Sequence, residues 1–239
     1  MKAYTTANRC SVVTLDMAGT TISDRGVVLE AFGASLEDVG MVAGDGRYEV
    51  AMAIAASTMG CSKIDVFRRL LAEVPGGPPR DLEGTAQAAN EAFESHYWQF
   101  LSAGRVEPIP GAVRVMTALK DAGISVCLVT GFSSRTRDAV IRSLGWDGLA
   151  DLVLSPGEAG RGRPWPDLPL QALMRLGGGS VAELAVVGDT PADIESGLRA
   201  GAGFVAGVLT GFSQAQDLFA SGANQVLSSV ADLPAALGL

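Results

Sequence analysis

The stretch Val12-Val13-Thr14-Leu15-Asp16-Met17-Ala18-Gly19-Thr20-Thr21 decides the fold. An apolar run reads as a buried strand, it delivers a carboxylate at its end, and a Gly-Thr turn follows at once. Far along the chain, Val186-Val187-Gly188-Asp189-Thr190-Pro191-Ala192-Asp193 repeats the arrangement. A second apolar run ends in Gly-Asp, with a further Asp four residues on. Two strand ends tipped with carboxylates meet at one edge of a parallel sheet, where open α/β sheets bind ligands. Carboxylate pairs of this kind hold Mg²⁺ and meet phosphoryl groups.

The chain has 239 residues, 48% of them hydrophobic, which suffices to bury a core in one or two domains. Its net charge is −8 and its pI about 4.7. With no long Lys/Arg block, this balance argues against nucleic acid and anionic membrane as partners. An anionic small substrate then needs its positive charge locally, from a metal, Arg, Lys or backbone N–H groups. The cysteines, Cys10, Cys61 and Cys127, are odd in number and match no zinc spacing. Cys127 sits in an apolar run and reads as a packed thiol, which suits a reducing cytoplasm. Residues 1–9 are polar and lack the apolar region of a leader. No apolar run approaches the ~18 residues that a membrane span needs.

Between residues 23 and 106 the pattern is helical. Val28, Phe32, Leu36 and Val39 recur at helical spacing, residues 47–57 form a second run, and Ile64, Phe67, Leu70, Leu71 and Val74 share one face of a third. Ser62 and Asp65 fit a capping box at the start of that third helix. The loop Pro75-Gly76-Gly77-Pro78-Pro79 ends it, and a fourth helix spans 82–103 with Phe93, Tyr97, Trp98 and Phe100. Beyond Pro108-Ile109-Pro110-Gly111 the pattern alternates: strands at 124–130, 152–154, 184–187 and 204–208, separated by helices at 112–122, 134–144, 167–176 and 192–200, with a last short strand and helix. Such alternation predicts an α/β doubly wound parallel sheet. The all-helical block is then an insertion after the first strand: core at 1–22 and 107–239, cap at 23–106. The connections near 22–26 and 104–110 read as hinges.

This arrangement resembles the haloacid dehalogenase superfamily, with a Rossmann-like core and an inserted helical cap. Four signals stand in that family's order over essentially the whole chain. Asp16 is in the nucleophile position. Thr130, after Val126-Cys127-Leu128-Val129, is in the phosphate-binding Ser/Thr position. Arg163 takes the basic position, and Gly188-Asp189 with Asp193 forms the acidic motif. Most phosphatases of the superfamily carry an acid two residues after the nucleophile, where this chain has Ala18. Most carry Lys at the basic position, where Gly162-Arg163-Pro164 supplies Arg. Both departures resemble the phosphonatase-like branch, whose members also carry a cap Lys preceded by Met four residues earlier. Met59-Gly60-Cys61-Ser62-Lys63 matches that pattern. In phosphonatases a His commonly follows the Lys by three residues, where this chain has Val66. The chain's one histidine, His96, reads as structural.

The resemblance implies hydrolysis of the carbon–phosphorus bond of phosphonoacetaldehyde or a related 2-oxoalkylphosphonate. Asp16 attacks phosphorus, and Lys63 forms a Schiff base with the neighbouring aldehyde. A carbanion leaves reluctantly, and an iminium takes up its electrons as an enamine, so an acid at residue 18 has less to do. Lys63 must be neutral to attack, and its place in the first turn of a helix disfavours the ammonium. Mg²⁺ is expected on Asp16, the Ala18 carbonyl and Asp189. Asp193 touches the metal through water, orients its shell, or caps the helix that it begins. Thr130, with the N–H groups of Gly131 and of the Gly19-Thr20 turn, is expected to bind the phosphoryl oxygens, and Arg163 to pair with the phosphoryl group or with Asp16. Met59 and Phe132 shape the pocket or simply pack. The alternative is an Mg²⁺-dependent phosphomonoesterase acting on a small ester such as phosphoglycolate, with Lys63 serving only as a charge. The resemblance also implies a homodimer through the cap, and the cluster Tyr97, Trp98, Phe100 reads either as cap packing or as that contact.

Overall fold

Every residue of the strand β1 (Val12–Asp16) is buried, so the sheet must grow on both of its edges. The structure, a computed structural model, describes residues 10–23 and 25–239. The polar residues 1–9, read above as lacking a leader, lie outside the described residues. After β1 come β2 (Ile22–Ser23), α1 (Val27–Asp38), α2 (Gly46–Ser57), α3 (Lys63–Glu73), α4 (Leu82–Ser102) and β3 (Glu107–Pro108). The alternating part follows: α5 (Ala112–Asp121), β4 (Ser125–Val129), α6 (Ser134–Ser143), β5 (Leu152–Leu154), α7 (Pro156–Ala159), α8 (Asp167–Arg175), β6 (Leu184–Gly188) and α9 (Pro191–Ala200). It closes with β7 (Phe204–Val208), α10 (Ala215–Ala220), β8 (Gln225–Leu227) and α11 (Leu233–Leu237).

The main sheet runs β5-β4-β1-β6-β7-β8, and its pairings are parallel. Helices lie on both faces, the doubly wound arrangement read from the alternation. In chain order the strands step from β1 to one side and then restart on the other. The crevice where the order reverses therefore opens at the carboxyl ends of β1, β4 and β6. The register places Asp16 opposite Val129 and Leu15 opposite Val187, so Asp16, Thr130 and Asp189 leave the sheet at one level. No helix among the described residues is long and apolar enough to cross a membrane.

The helices α1 to α4 pack around an aromatic cluster. The Phe32 ring lies 4.8 Å from Phe93 and 5.0 Å from Phe67, and Phe93 stacks on Tyr97 at 6.1 Å. Tyr97 in turn meets Phe132, from the loop after β4, at 4.7 Å. One hydrophobic cluster thus runs from the inserted helices into the sheet's own core. Truncating Phe93 to Ala removes the ring that joins α1, α3 and α4. We expect a loss of about 3–5 kcal/mol, read from urea unfolding.

Of the aromatic trio left open between packing and a dimer contact, Tyr97 is fully buried. Trp98 donates its indole N–H to Thr136 Oγ1 at 3.1 Å, and Phe100 lies 4.7 Å under the Arg105 guanidinium. His96 Nε2 sits 2.7 Å from Asp38 Oδ2, a surface link between α4 and α1. Cys127 is buried as read, and burial pushes its thiol well above the ordinary value.

Three local features add to the sequence reading or differ from it. The two connections read as hinges pair with each other: β2 and β3 run antiparallel, Ile22 opposite Pro108 and Ser23 opposite Glu107, and the Ile109 N–H donates to Thr21 O at 2.9 Å. Strands of two residues are too short to show alternation. The same holds for the short helices α7 and α10. Finally, Ser62 is the N-cap of α3 but makes no side-chain cap bond. The Lys63 N–H donates to Gly131 O at 3.2 Å, across the crevice, and the Asp65 side chain pairs with Arg68 at 2.8 Å.

Candidate active site

β1 ends in a carboxylate that is 4% exposed, and burial without a partner would cost several kcal/mol. Its partner is Arg163, from the loop before α8. Arg163 Nη1 donates to Asp16 Oδ1 at 2.5 Å and also bonds Asp193 Oδ1. Burial lifts Asp16 to about 7, against the pull of Arg163 and with the push of Asp193. Burial first, then repulsion from Asp16 and Asp193, holds Asp189 well above the usual carboxylate range. Burial alone would lower the Arg163 pKa, but the two aspartates together carry it above its ordinary value. Three buried carboxylates therefore face one buried guanidinium, an excess of negative charge.

That excess is the first reason the residues fit a cation; the donor set is the second. Asp16, Asp189 and the Ala18 carbonyl offer hard oxygen donors. Among the described residues no group of three or more His, Cys, Asp or Glu is placed to hold a metal. Two carboxylates with a carbonyl and waters are nonetheless what Mg²⁺ commonly takes, since it sheds its waters reluctantly. Asp193, expected at or near the metal, has both oxygens engaged. Oδ1 meets Arg163, and Oδ2 accepts from the Thr190 hydroxyl at 2.6 Å and the Thr190 N–H at 3.2 Å, completing a capping box at the start of α9.

Thr130 follows β4, whose Val129 stands opposite Asp16 in the sheet. The Thr130 hydroxyl oxygen accepts the Phe132 N–H at 3.2 Å. The Gly19 and Thr20 amides, expected to face that group, are donated inside their own turn, to Ile22 O at 2.7 Å and Met17 O at 3.2 Å. The bond that ties Gly19 to Ile22 is part of the short bridge between residues 18 and 22. The Thr20 side chain reaches Asp189 Oδ1 at 3.3 Å.

The inserted helices close over this edge. Lys63 is 7% exposed, and its Nζ lies 5.4 Å from the Phe132 ring centroid and 5.7 Å from that of Phe32. Gly131 is pressed against the loop before α3, so that a side chain there would overlap Cys61 O. Gly131→Ala is expected to hold that loop off the sheet and cut turnover at least roughly tenfold, since small misplacements are costly. Steady-state kinetics with an unchanged circular dichroism spectrum check it. Met59 lines a cleft of about 310 Å³ with Ala18, Gly19 and Asp189, while Lys63, Gly131 and Phe132 line a separate one of about 330 Å³.

Sequence reasoning missed two contributors. Phe32 was read only as a core position of α1, yet it also faces Lys63. The segment Thr210-Gly211-Phe212 after β7 lines the smaller cleft, and the Phe212 N–H donates to Asp189 Oδ2 at 2.8 Å. The signal was present: Thr210-Gly211-Phe212-Ser213 repeats Thr130-Gly131-Phe132-Ser133.

Comparison with known proteins places the chain in a family. A family model described as haloacid dehalogenase-like hydrolase matches residues 10–201. A phosphonoacetaldehyde hydrolase-like protein of Syntrophobacter fumaroxidans is 30% identical over 209 residues, covering 83% of this chain and 72% of the relative. The phosphonoacetaldehyde hydrolase of Bacillus cytotoxicus is 29% identical over 216 residues, 86% of this chain and 78% of its own. Among solved structures, a phosphonoacetaldehyde hydrolase-like protein from Oleispira antarctica superposes with a TM-score of 0.79 at 24% identity, covering 100% of this chain and 95% of that one.

Proposed function

The chain belongs to the haloacid dehalogenase-like hydrolases, and from that premise we propose that it cleaves the carbon–phosphorus bond of phosphonoacetaldehyde or a related 2-oxoalkylphosphonate. In this reading residues 1–22 and 107–239 form the catalytic core and 23–106 a cap. The observation that carries the proposal is Lys63: a buried lysine whose backbone is tied to Gly131 and whose Nζ lies between two rings. It comes together with Ala18 where an ester-cleaving enzyme of the family would carry an acid.

The Lys63 amine adds to the aldehyde carbon and water leaves, giving an iminium. The Phe32 and Phe132 rings suit that cation as they suit an ammonium. An Asp16 oxygen attacks phosphorus in line. The carbon–phosphorus bond breaks, and its electron pair passes into the iminium to leave an enamine on Lys63 and an aspartyl-phosphate on Asp16. Water hydrolyses the acyl phosphate. The enamine takes a proton on carbon, and a second water releases acetaldehyde and restores the amine.

Arg163 holds Asp16 in line and balances its charge, and Asp193 acts through Arg163. The Thr130 hydroxyl donates to a phosphoryl oxygen. Asp16, Asp189 and the Ala18 carbonyl would hold Mg²⁺, which would supply the positive charge that lets an anionic nucleophile meet an anionic substrate.

One observation favours the second reading, an Mg²⁺-dependent phosphomonoesterase. Val66, where a phosphonatase commonly has His, is buried and offers no group to move protons during imine formation. Phosphate release from phosphonoacetaldehyde and from phosphoglycolate, measured side by side with Mg²⁺, separates the two. Phosphate from the phosphonate supports carbon–phosphorus cleavage, and phosphate from the ester alone replaces it by the phosphatase reading.

A further inference from the structure

The tetrapeptide Thr-Gly-Phe-Ser stands at the carboxyl end of two strands, after β4 and after β7, and the two copies are used differently. In the first, Phe132 is 2% exposed and its amide bonds its own Thr130. In the second, Phe212 is 45% exposed, so its ring adds little to the core. What the second copy does, it does through Thr210, Gly211 and the Phe212 amide.

We propose that Thr210-Gly211-Phe212 is the positioning element of the metal site and sets the affinity for Mg²⁺, an inference that rests on the Mg²⁺ reading above. Three contacts carry it. The Phe212 N–H donates to Asp189 Oδ2 at 2.8 Å, on the oxygen opposite the one that takes the Thr20 hydroxyl at 3.3 Å. Each oxygen of Asp189 thus has one donor, which fixes the plane of the carboxylate and leaves lone pairs for a cation. The Thr210 hydroxyl donates to Gly19 O at 2.7 Å, which pins the turn that presents the neighbouring Ala18 carbonyl. Gly211 lies against Asp189 so closely that a side chain there would overlap Oδ2. One turn therefore aims two of the three ligands, and it closes the cleft that Met59 and Ala18 line. Partners behind metal ligands typically contribute 10–100-fold in affinity.

The test is Mg²⁺ titration by calorimetry into the full-length, metal-free protein, as wild type, Gly211→Ala, Thr210→Val and Thr210→Ser. Gly211→Ala should raise the Kd at least about tenfold and Thr210→Val several-fold, whereas Thr210→Ser, which keeps the hydroxyl, should stay within about twofold. Unfolding midpoints without Mg²⁺ should coincide for the threonine variants, and excess Mg²⁺ should restore turnover to the weakened ones. Should Gly211→Ala fail to fold, the valine and serine pair decides alone. Wild-type binding with Thr210→Val and Gly211→Ala both within about twofold of it overturns the proposal. A wild type that binds no Mg²⁺ overturns the metal reading itself, and this inference with it.

Discussion

Asp16→Asn releases no phosphate from phosphonate or ester, its turnover lower by on the order of 10⁴-fold or more. The carboxamide keeps the shape of the side chain but has no anionic oxygen to attack phosphorus, so the aspartyl-phosphate cannot form. The fold should survive. Arg163 keeps its bond to Asp193, whose other oxygen stays on Thr190, so the guanidinium is not left as an unpaired buried charge. One carboxylate also disappears from a cluster in which three faced one cation. The measurement pairs a phosphate-release assay with thermal unfolding, and the expected result is a native transition with no turnover. A fully active Asn variant would remove Asp16 as nucleophile and with it both substrate readings.

The order of elements was legible because burial leaves a periodic trace. Val12 to Asp16, the 124–130 run and the 184–187 run each show the apolar continuity of strands covered on both faces, and Phe67, Leu70 and Leu71 show the spacing of a helix face. The carboxylates at the strand ends were legible for the same reason, since a charge that terminates an apolar run must leave the sheet at its edge. What periodicity reports is which side of an element is covered, not what covers it. Phe32 is an example: its spacing marks the inward face of α1, and nothing in it says that the inward face also meets Lys63. The amides of Gly19 and Thr20 are another, because a Gly-Thr turn is compatible with both outward and inward N–H groups, and here they donate inward to Ile22 O and Met17 O.

The missed pieces are either too short to be periodic or are held by backbone atoms. β2 and β3 are two residues each. Two of the three contacts of the Thr210-Gly211-Phe212 turn come from an amide and from the lack of a Cβ, which periodicity does not mark; only the repeated Thr-Gly-Phe-Ser does. Ser62 shows the converse failure. Its spacing to Asp65 satisfies a local capping rule, but Ser62 makes no side-chain cap bond, and the next amide along, that of Lys63, donates across the seam to Gly131 O. Tertiary partners override local ones wherever the inserted helices meet the sheet.

Lys63→Arg is expected to abolish phosphate release from phosphonoacetaldehyde, by roughly 10⁴-fold, although it keeps the positive charge. Arginine can still place a cation near Phe32 and Phe132, where the lysine Nζ lies within 6 Å of both centroids. It cannot form the imine, because a guanidinium stays protonated and its nitrogens are poor nucleophiles. The substitution therefore separates covalent chemistry from charge, which Lys63→Ala would remove together. Two readouts carry the argument. Borohydride added to the wild type with phosphonoacetaldehyde should reduce the imine, fix the adduct on Lys63 as a mass increase and inactivate the enzyme, while the arginine variant should gain no mass. Kinetics should show kcat collapsing with the thermal midpoint little changed, since the aliphatic stem and the charge are retained. An arginine variant that turns over at the wild-type rate, or a wild type that borohydride leaves untouched, would reduce Lys63 to an electrostatic residue. The same fold would then be read as a phosphatase that works without an acid at residue 18.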